Sequence, residues 1–505
     1  MPAPAQANAL LEQALQAHRA GRIEQAIPLY RATLAVDPRN AVALSTLGMV
    51  YLQRGDAEHA RPLLETASAV QPDSADTWMA LGNLHARTGA FEQAGHAFAN
   101  VVRLRPDVAA AHVNHGNALR RGGRLKEAIA AFRRGIALDP RLALAHYNLG
   151  IALTESGGLE AAGEAFQSAL DLDPGLLAAR MNLGNLFLRQ DRAEAALSCF
   201  DAVLSADPAY PKASYNRGVA LLSLDRCAEA TAAFELAIAR NERDAEAHNN
   251  LVISLLREQR PQAALAACER FLASAPATPK MLAYKAAALI ELDRRDDAAA
   301  LLDFDRLLAH RQLPAPDGFA SVAAMNSALA AQVAGHETLV FEPADKSTRG
   351  GSQTGEFLDG LGGAAAALRG LIVAAVRDYI GDMRTRLPHH PFVAGLPDRW
   401  QLASWAVSLQ AQGHQGPHFH PDGCVSGVYY VRVPDSVLSA SNGEGCLEFG
   451  RTADAIGGGS RDPLLRLVTP AEGLLLLFPS YFYHRTLPFD GPQSRISIAF
   501  DVLPA

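Results

Sequence analysis

Over the first three-fifths of the chain, small and apolar residues return every 34 positions. Alanines stand at Ala26, Ala60, Ala94, Ala128, Ala162, Ala196, Ala230, Ala264 and Ala298. Glycines stand at Gly48, Gly82, Gly116, Gly150, Gly184 and Gly218, and aromatics at Tyr30, Phe98, Phe132, Phe166, Phe200 and Phe234. Pro38, Pro72, Pro106, Pro140, Pro174 and Pro208 close successive periods, with Glu242 and then Pro276 in the next two slots. Proline lacks a backbone donor and clashes with the turn before it, so each one ends a helix, while the glycines mark places where two helices approach closely. The pattern predicts a helix-turn-helix unit repeated eight times over about residues 7–278, then a less regular ninth pair to about Leu308. Each unit can bury its apolar face only against its neighbours, which predicts an elongated right-handed superhelix with a concave groove.

This period, with its small residues and closing proline, resembles the tetratricopeptide repeat. One further position recurs. Asn114, Asn148, Asn182, Asn216 and Asn250 occupy the same place in the first helix of five consecutive repeats. Asparagine is a mediocre helix former, so propensity does not account for it. It either makes a stabilising hydrogen bond within each repeat or lines the groove with amides that hold an extended polypeptide by its backbone. The repeats of the O-GlcNAc transferases carry a similar ladder, and that resemblance implies a polypeptide partner.

The 34-residue register dissolves between about Asp303 and Pro343, and Pro314-Ala315-Pro316-Asp317-Gly318 is a turn-rich break. Residues 319–335 and 364–387 still carry helical spacing, the second with an Ala/Leu/Val/Ile stripe opposite arginines. Between them Lys346 to Gly355 reads as a polar, glycine-rich loop, either an exposed connection or a wall of the site that follows. After Pro397 the pattern changes to short β-branched and aromatic runs at 400–411, 424–433, 445–450, 464–468, 473–478 and 494–502, separated by Pro, Gly, Asp and Asn. The last run alternates, with Ile496, Ile498 and Phe500 on one face and Arg495, Ser497 and Ala499 on the other. The fold class is therefore multidomain α + β: an α-solenoid at 7–308, a helical linker at 309–340 and a jelly-roll or barrel at 341–505.

Composition narrows the partners. The chain has 505 residues, 49% of them hydrophobic and 20% charged, so disorder is not its default state. A formal charge of -7 offers no basic stripe for nucleic acid. The five cysteines show no CxxC spacing, which excludes a zinc ribbon and suits a reducing compartment. The N-terminus lacks the basic and apolar blocks of a secretory signal, and no run approaches the roughly 18 apolar residues of a membrane span, so a cytoplasmic location is expected.

Chemistry concentrates in Gly416-Pro417-His418-Phe419-His420-Pro421-Asp422-Gly423, followed by Phe478-Pro479-Ser480, His484 and the strand bearing Arg495 and Ser497. Two ligands at i and i+2 on a strand share a face, and a third can arrive from a later strand, leaving open positions on an octahedral metal. His418, His420 and His484 have that layout. An arginine fork with a nearby hydroxyl, as Arg495 and Ser497 provide, suits the outer carboxylate of a dicarboxylate. His414 reads as a loop residue.

These motifs over about residues 340–505 resemble the 2-oxoglutarate/Fe(II)-dependent oxygenase superfamily, whose double-stranded β-helix carries HxD/E…H and then Arg or Lys. Ser426-Gly427-Val428-Tyr429-Tyr430-Val431 and Phe478-Pro479-Ser480…His484 look particularly like a bacterial and phage group within it. The resemblance implies Fe(II), 2-oxoglutarate as co-substrate, His484 as the distal ligand and Arg495 with Ser497, helped by Tyr430, on the outer carboxylate. The acid position departs from the pattern. Either His418 and His420 both ligate with no acid, or His420-Pro421-Asp422 is the HxD motif and His418 stands behind it. The tight turn expected at Pro421-Asp422-Gly423 favours the first. The reading that results is an oxygenase that hydroxylates a protein or peptide held by the repeats. Its rivals are a non-catalytic tetratricopeptide scaffold with a degenerate barrel, and a three-His cupin-like metalloenzyme that uses no 2-oxoglutarate.

Overall fold

The computed structural model describes residues 3–344, 346–440, 442–453 and 462–505. They form two compact units, Met1–Ala213 and Ser214–Ala505.

The first unit is built of antiparallel helix pairs, of which Ala143–Glu155 with Leu159–Leu172 is representative. Phe166 of the second helix, 1% exposed, lies on the bare backbone of Gly150 in the first. A Cβ added at Gly150 would stand 2.6 Å from the Phe166 ring. The same glycine–phenylalanine seat recurs at Gly116 with Phe132 and at Gly184 with Phe200. That seat, sixteen residues apart in sequence, explains why glycine and aromatic share one period. Pro174 follows one residue after the C-cap Asp173, where helix can no longer continue.

The second unit begins with the later repeats, ending in Pro279–Glu291 and Arg295–Leu302, and carries the strands. In chain order these are β1 Ala309–Gln312, β2 Val340–Phe341, β3 Thr348–Gln353, β4 Trp400–His418, β5 Val425–Arg432, β6 Leu447–Phe449, β7 Arg466–Val468, β8 Leu474–Pro479, β9 His484–Thr486 and β10 Arg495–Pro504. They make one curled antiparallel sheet in the order β1-β8-β5-β10-β4-β9-β6-β7, with β3 pairing β2 and β4. This arrangement is consistent with the expected jelly-roll. β8 is apolar throughout and β5 is buried from Val425 to Val431, because both of their faces are covered.

Two stretches differ from the sequence expectation. Residues 309–312, placed in a linker, are β1 and pair with Leu474–Leu477 at the sheet edge. Ala-His-Arg-Gln is too short and too polar to show a strand pattern, since an edge strand needs only half its positions covered. The glycine-rich segment at 346–355 is not a loop but contains β3. Its glycines serve close approach: an added Cβ at Gly351 would meet Ser408 O at 2.6 Å. The helices at Val322–Ala334 and Ala364–Arg386 fall close to their expected places.

The last repeat and the short helix Phe304–Leu307 after it are fastened through their carbonyl ends to the turn after β8 and to the helix Ala364–Arg386. The final carbonyls of a helix have no partner within it. Here Tyr481 donates its hydroxyl to Leu301 O at 2.5 Å and Tyr379 donates to Leu307 O at 2.8 Å, both from fully buried side chains. No described helix is long and apolar enough to cross a membrane.

Two glycine substitutions separate packing from propensity. Gly381→Ala, on an exposed helix position with nothing within 4 Å of the new Cβ, should stabilise by about 0.5–1 kcal/mol. Gly150→Ala gains the same propensity but displaces Phe166, an overpacking that costs about 1–3 kcal/mol. The thermal unfolding midpoint should rise for the first and fall for the second. Equal shifts would remove the packing role of Gly150.

Candidate metal centre

β4 and β9 run antiparallel, and their register sets His418 directly opposite His484. Directly opposed residues have Cβ atoms about 5 Å apart, so their side chains meet. The two ring centroids lie 4.4 Å apart. His420 follows just past the end of β4, its backbone N–H donating to Ser480 O at 2.9 Å. Its ring lies 5.3 Å from His418 and 5.1 Å from His484. Trp405 stacks on its other face, 5.5 Å away at 22°. One ligand nitrogen from each histidine lies within 4.8 Å of the other two.

The second nitrogen of every ring is occupied. His418 Nδ1 is 2.8 Å from Gly416 O, His484 Nδ1 is 2.9 Å from Phe482 O, and His420 Nδ1 is 2.6 and 2.7 Å from the two Asp501 oxygens. Carbonyls and carboxylates only accept, so each Nδ1 carries a proton and Nε2 is the nitrogen of each ring that can ligate. His420 Nε2 is buried without a hydrogen-bond partner. Three converging imidazole nitrogens suit a cation, and the donor set fits iron(II) or zinc(II). Burial, reinforced by the neighbouring His420, pushes His418 down to about 4. Burial first, then His418 and His420, hold His484 well below the usual histidine range. Both rings are therefore neutral at physiological pH and ready to bind metal.

The trio opens on a narrow inner cavity of about 30 Å³ that is also lined by Phe478, Thr486, Arg495 and Ser497. Arg495 is 2% exposed, its Nε has no partner, and its Cζ lies 5.0 Å from the Tyr430 ring centroid. A buried cation of this kind requires a counter-ion, and a carboxylate entering the cavity would provide it. Burial lowers the Arg495 pKa, against the opposing effect of the Tyr430 phenol. Tyr430 does not line the cavity itself; its ring lies beneath the guanidinium. Outward, a wider cavity of about 680 Å³ shares Trp405, Gln415, His418 and His420, and is walled by Ser347, Gln353 and Glu356. The segment at 346–355 is thus a wall of this cavity.

Asp422 is exposed in the bend after Pro421 and stands outside the trio, on the rim of the outer cavity. His414 lies within β4, opposite Arg349, rather than in a loop. Sequence reasoning passed over Asp501. It continues the alternation Arg495, Ser497, Ala499 by one more step on the same strand face, and that spacing was the available signal. Of the repeated asparagines, Asn182 donates to Tyr147 OH at 3.4 Å, Asn250 to Tyr215 OH at 3.2 Å and Asn114 to Met79 Sδ at 3.6 Å. Each of these amides therefore ties its helix to the preceding repeat. The equivalent place before Asn148 holds Val113, which has no acceptor side chain.

Residues 403–501 match the family model described as "Putative 2OG-Fe(II) oxygenase". Models described as "TPR repeat" and "Tetratricopeptide repeat" match 116–157 and 17–84, 143–176, 181–245 and 221–279. The chain is a tetratricopeptide array followed by a curled-sheet domain that is similar to this oxygenase family over residues 403–501. Among solved structures it is similar to MamA from Desulfovibrio magneticus RS-1, at 27% identity and TM-score 0.32, covering 34% of this chain and 96% of that one. It is also similar to Pseudomonas aeruginosa pilF, at 20% identity and TM-score 0.36, covering 41% and 94%. A third is PilW, a type IV pilus biogenesis factor, at 20% identity and TM-score 0.38, covering 42% and 98%. No curated protein matches the chain.

The buried histidines set a pH dependence. Folded His418 takes up its proton only near pH 4, whereas the unfolded chain does so near pH 6.5. Between those values unfolding takes up protons, so the contribution of this histidine is full above about pH 6.5 and is lost as pH drops towards 4. One such histidine contributes a slope of up to about 1.4 kcal/mol per pH unit. Urea unfolding in the presence of a chelator should show this fall, and His418→Ala should make it shallower, His484 keeping its own share. An unchanged slope in that variant would mean His418 is not buried neutral.

Proposed function

We propose that the chain is an Fe(II)- and 2-oxoglutarate-dependent oxygenase that hydroxylates a polypeptide recruited by its repeats, within a reducing compartment. The observation that carries this reading is the convergence of three imidazole nitrogens beside a buried arginine whose Nε is unpaired. Iron(II) with 2-oxoglutarate would supply oxygen activation coupled to decarboxylation of the co-substrate to succinate. His418, His420 and His484 would hold the metal on one face, each fixed by the acceptor on its Nδ1. Arg495 and Ser497 would grip the outer carboxylate from the β10 face, with Tyr430 fixing the guanidinium plane. Trp405 and Phe478 would shield the inner cavity from water, and the outer cavity between β3 and the His420 segment would admit the substrate. The five cysteines are unpaired and buried, which supports the reducing compartment.

The repeats support a polypeptide partner by their kind. The asparagines would contribute through their carbonyl oxygens, since three of their amides are engaged within the array. Replacing Asn114, Asn148 and Asn182 together by alanine should weaken capture of unfolded polypeptide with helicity retained. Unaltered capture would remove them from the partner surface.

One observation favours a second reading: no carboxylate belongs to the trio, as in a three-His metalloenzyme that needs no 2-oxoglutarate. Anaerobic titration with Fe(II) and then 2-oxoglutarate distinguishes the two. The proposal expects a visible charge-transfer band that His484→Ala abolishes, and succinate release on admission of air. Arg495→Gln should keep iron binding and weaken 2-oxoglutarate by about 10–100-fold, the worth of one charge-assisted hydrogen-bonded contact. Iron binding without any band on adding 2-oxoglutarate would favour the second reading.

A further inference from the structure

The trio contains no acid, so a divalent ion held there sits among three neutral imidazoles. Asp501 is the acidic side chain hydrogen-bonded to the trio among the described residues. Its side chain is 14% exposed and both of its oxygens approach His420 Nδ1. Ser426, 1% exposed, donates its hydroxyl to Asp501 Oδ1 at 2.6 Å and lies 2.8 Å from Ser480 Oγ. Ser480 in turn accepts the backbone N–H of His420. His420 is thus held at ring and backbone by β10, β5 and the turn after β8, with Trp405 stacked on its face. The other two histidines differ. Backbone carbonyls fix their tautomers but bring no charge.

Resting on the metal-centre reading above, we propose that Asp501 is the positioning residue of the centre. It fixes the Nδ1-protonated tautomer of His420 and aims Nε2 inward. Through that hydrogen bond it also delivers the negative charge that a ligating carboxylate would otherwise bring. A carboxylate behind a ligating imidazole makes the ring a stronger donor, and losing such a partner typically weakens metal binding by about 10–100-fold. The placement also gives β10 two duties on one face, Arg495 and Ser497 at one end and Asp501 at the other.

Cobalt(II), added to the full chain after metal removal, tests this, because its visible absorption reports both affinity and ligand geometry. Asp501→Asn keeps the shape of the side chain and removes its charge. It should bind cobalt about 10–100-fold more weakly, with shifted bands and an unchanged metal-free unfolding midpoint. Asp501→Glu should recover part of the loss, and Ser426→Ala, which removes one hydrogen bond to Asp501 but leaves its charge on His420, should weaken binding less than Asp501→Asn does. An Asp501→Asn protein with wild-type affinity and bands overturns the proposal. Should that variant not fold, cobalt-loaded wild-type protein gives a second readout by paramagnetically shifted proton NMR. A slowly exchanging His420 Nδ1 proton is expected, and ligation through Nδ1 overturns the proposal. A wild-type chain that binds no cobalt, or a His484→Ala chain that binds it equally well, overturns the metal-centre reading itself.

Discussion

The pairing of β9 with the far end of β4 is the constraint on which the centre depends. β4 runs for nineteen residues and pairs with β10 over its first half, then with β9 at Gln415↔Thr486 and His418↔His484. The register shifts between those two pairs. That irregularity matters because side chains alternate along a strand, and a slip of one residue would turn His418 away from His484. Nothing else in the site can compensate. His420 is gripped independently, by Ser480 and Asp501, so the trio assembles only if the β4–β9 register is correct.

Around the centre, aromatic contacts link the histidine segment to the last repeat. Phe419, between the two histidines, packs edge-on against Tyr483 at 4.9 Å and against Tyr284 of Pro279–Glu291 at 6.0 Å. With Tyr481 and Tyr379 on the carbonyls of Leu301 and Leu307, the ninth helix pair is part of the scaffold that holds the site. The 34-residue period and the solenoid end near the same place in sequence, but the second compact unit includes repeat helices as well as strands. A repeat can therefore serve the array by its spacing and the strand-bearing part by its packing.

The repeats were legible because one seat, glycine under an aromatic, is copied many times and leaves a period no other constraint would produce. The strands from 400 onward were legible from their β-branched and aromatic runs, and the trio from its HxH pair and the later histidine. What escaped is informative. β1 is a short edge strand and β3 a glycine-rich strand between β2 and β4, and their polar and glycine residues carry little apolar signal. Asp501 escaped because a carboxylate near a chain end is ordinarily solvated, and only the fold brings His420 to it from 81 residues away. The asparagine position was visible as a period, yet its bonds to Tyr147 and Tyr215 depend on how one repeat sits on the next.

The edge strand β1 has a consequence for how the chain matures. Among the described residues Ala309–Gln312 pairs only with Leu474–Leu477, 165 positions later in the chain. A nascent chain emerging from the ribosome can complete its repeats one after another from local contacts, while β1 waits for a partner not yet translated. Until β8 arrives, the end of the solenoid presents unpaired backbone and the apolar surface around Leu301 and Leu307. That interval leaves the junction where the repeats stop most open to mispairing.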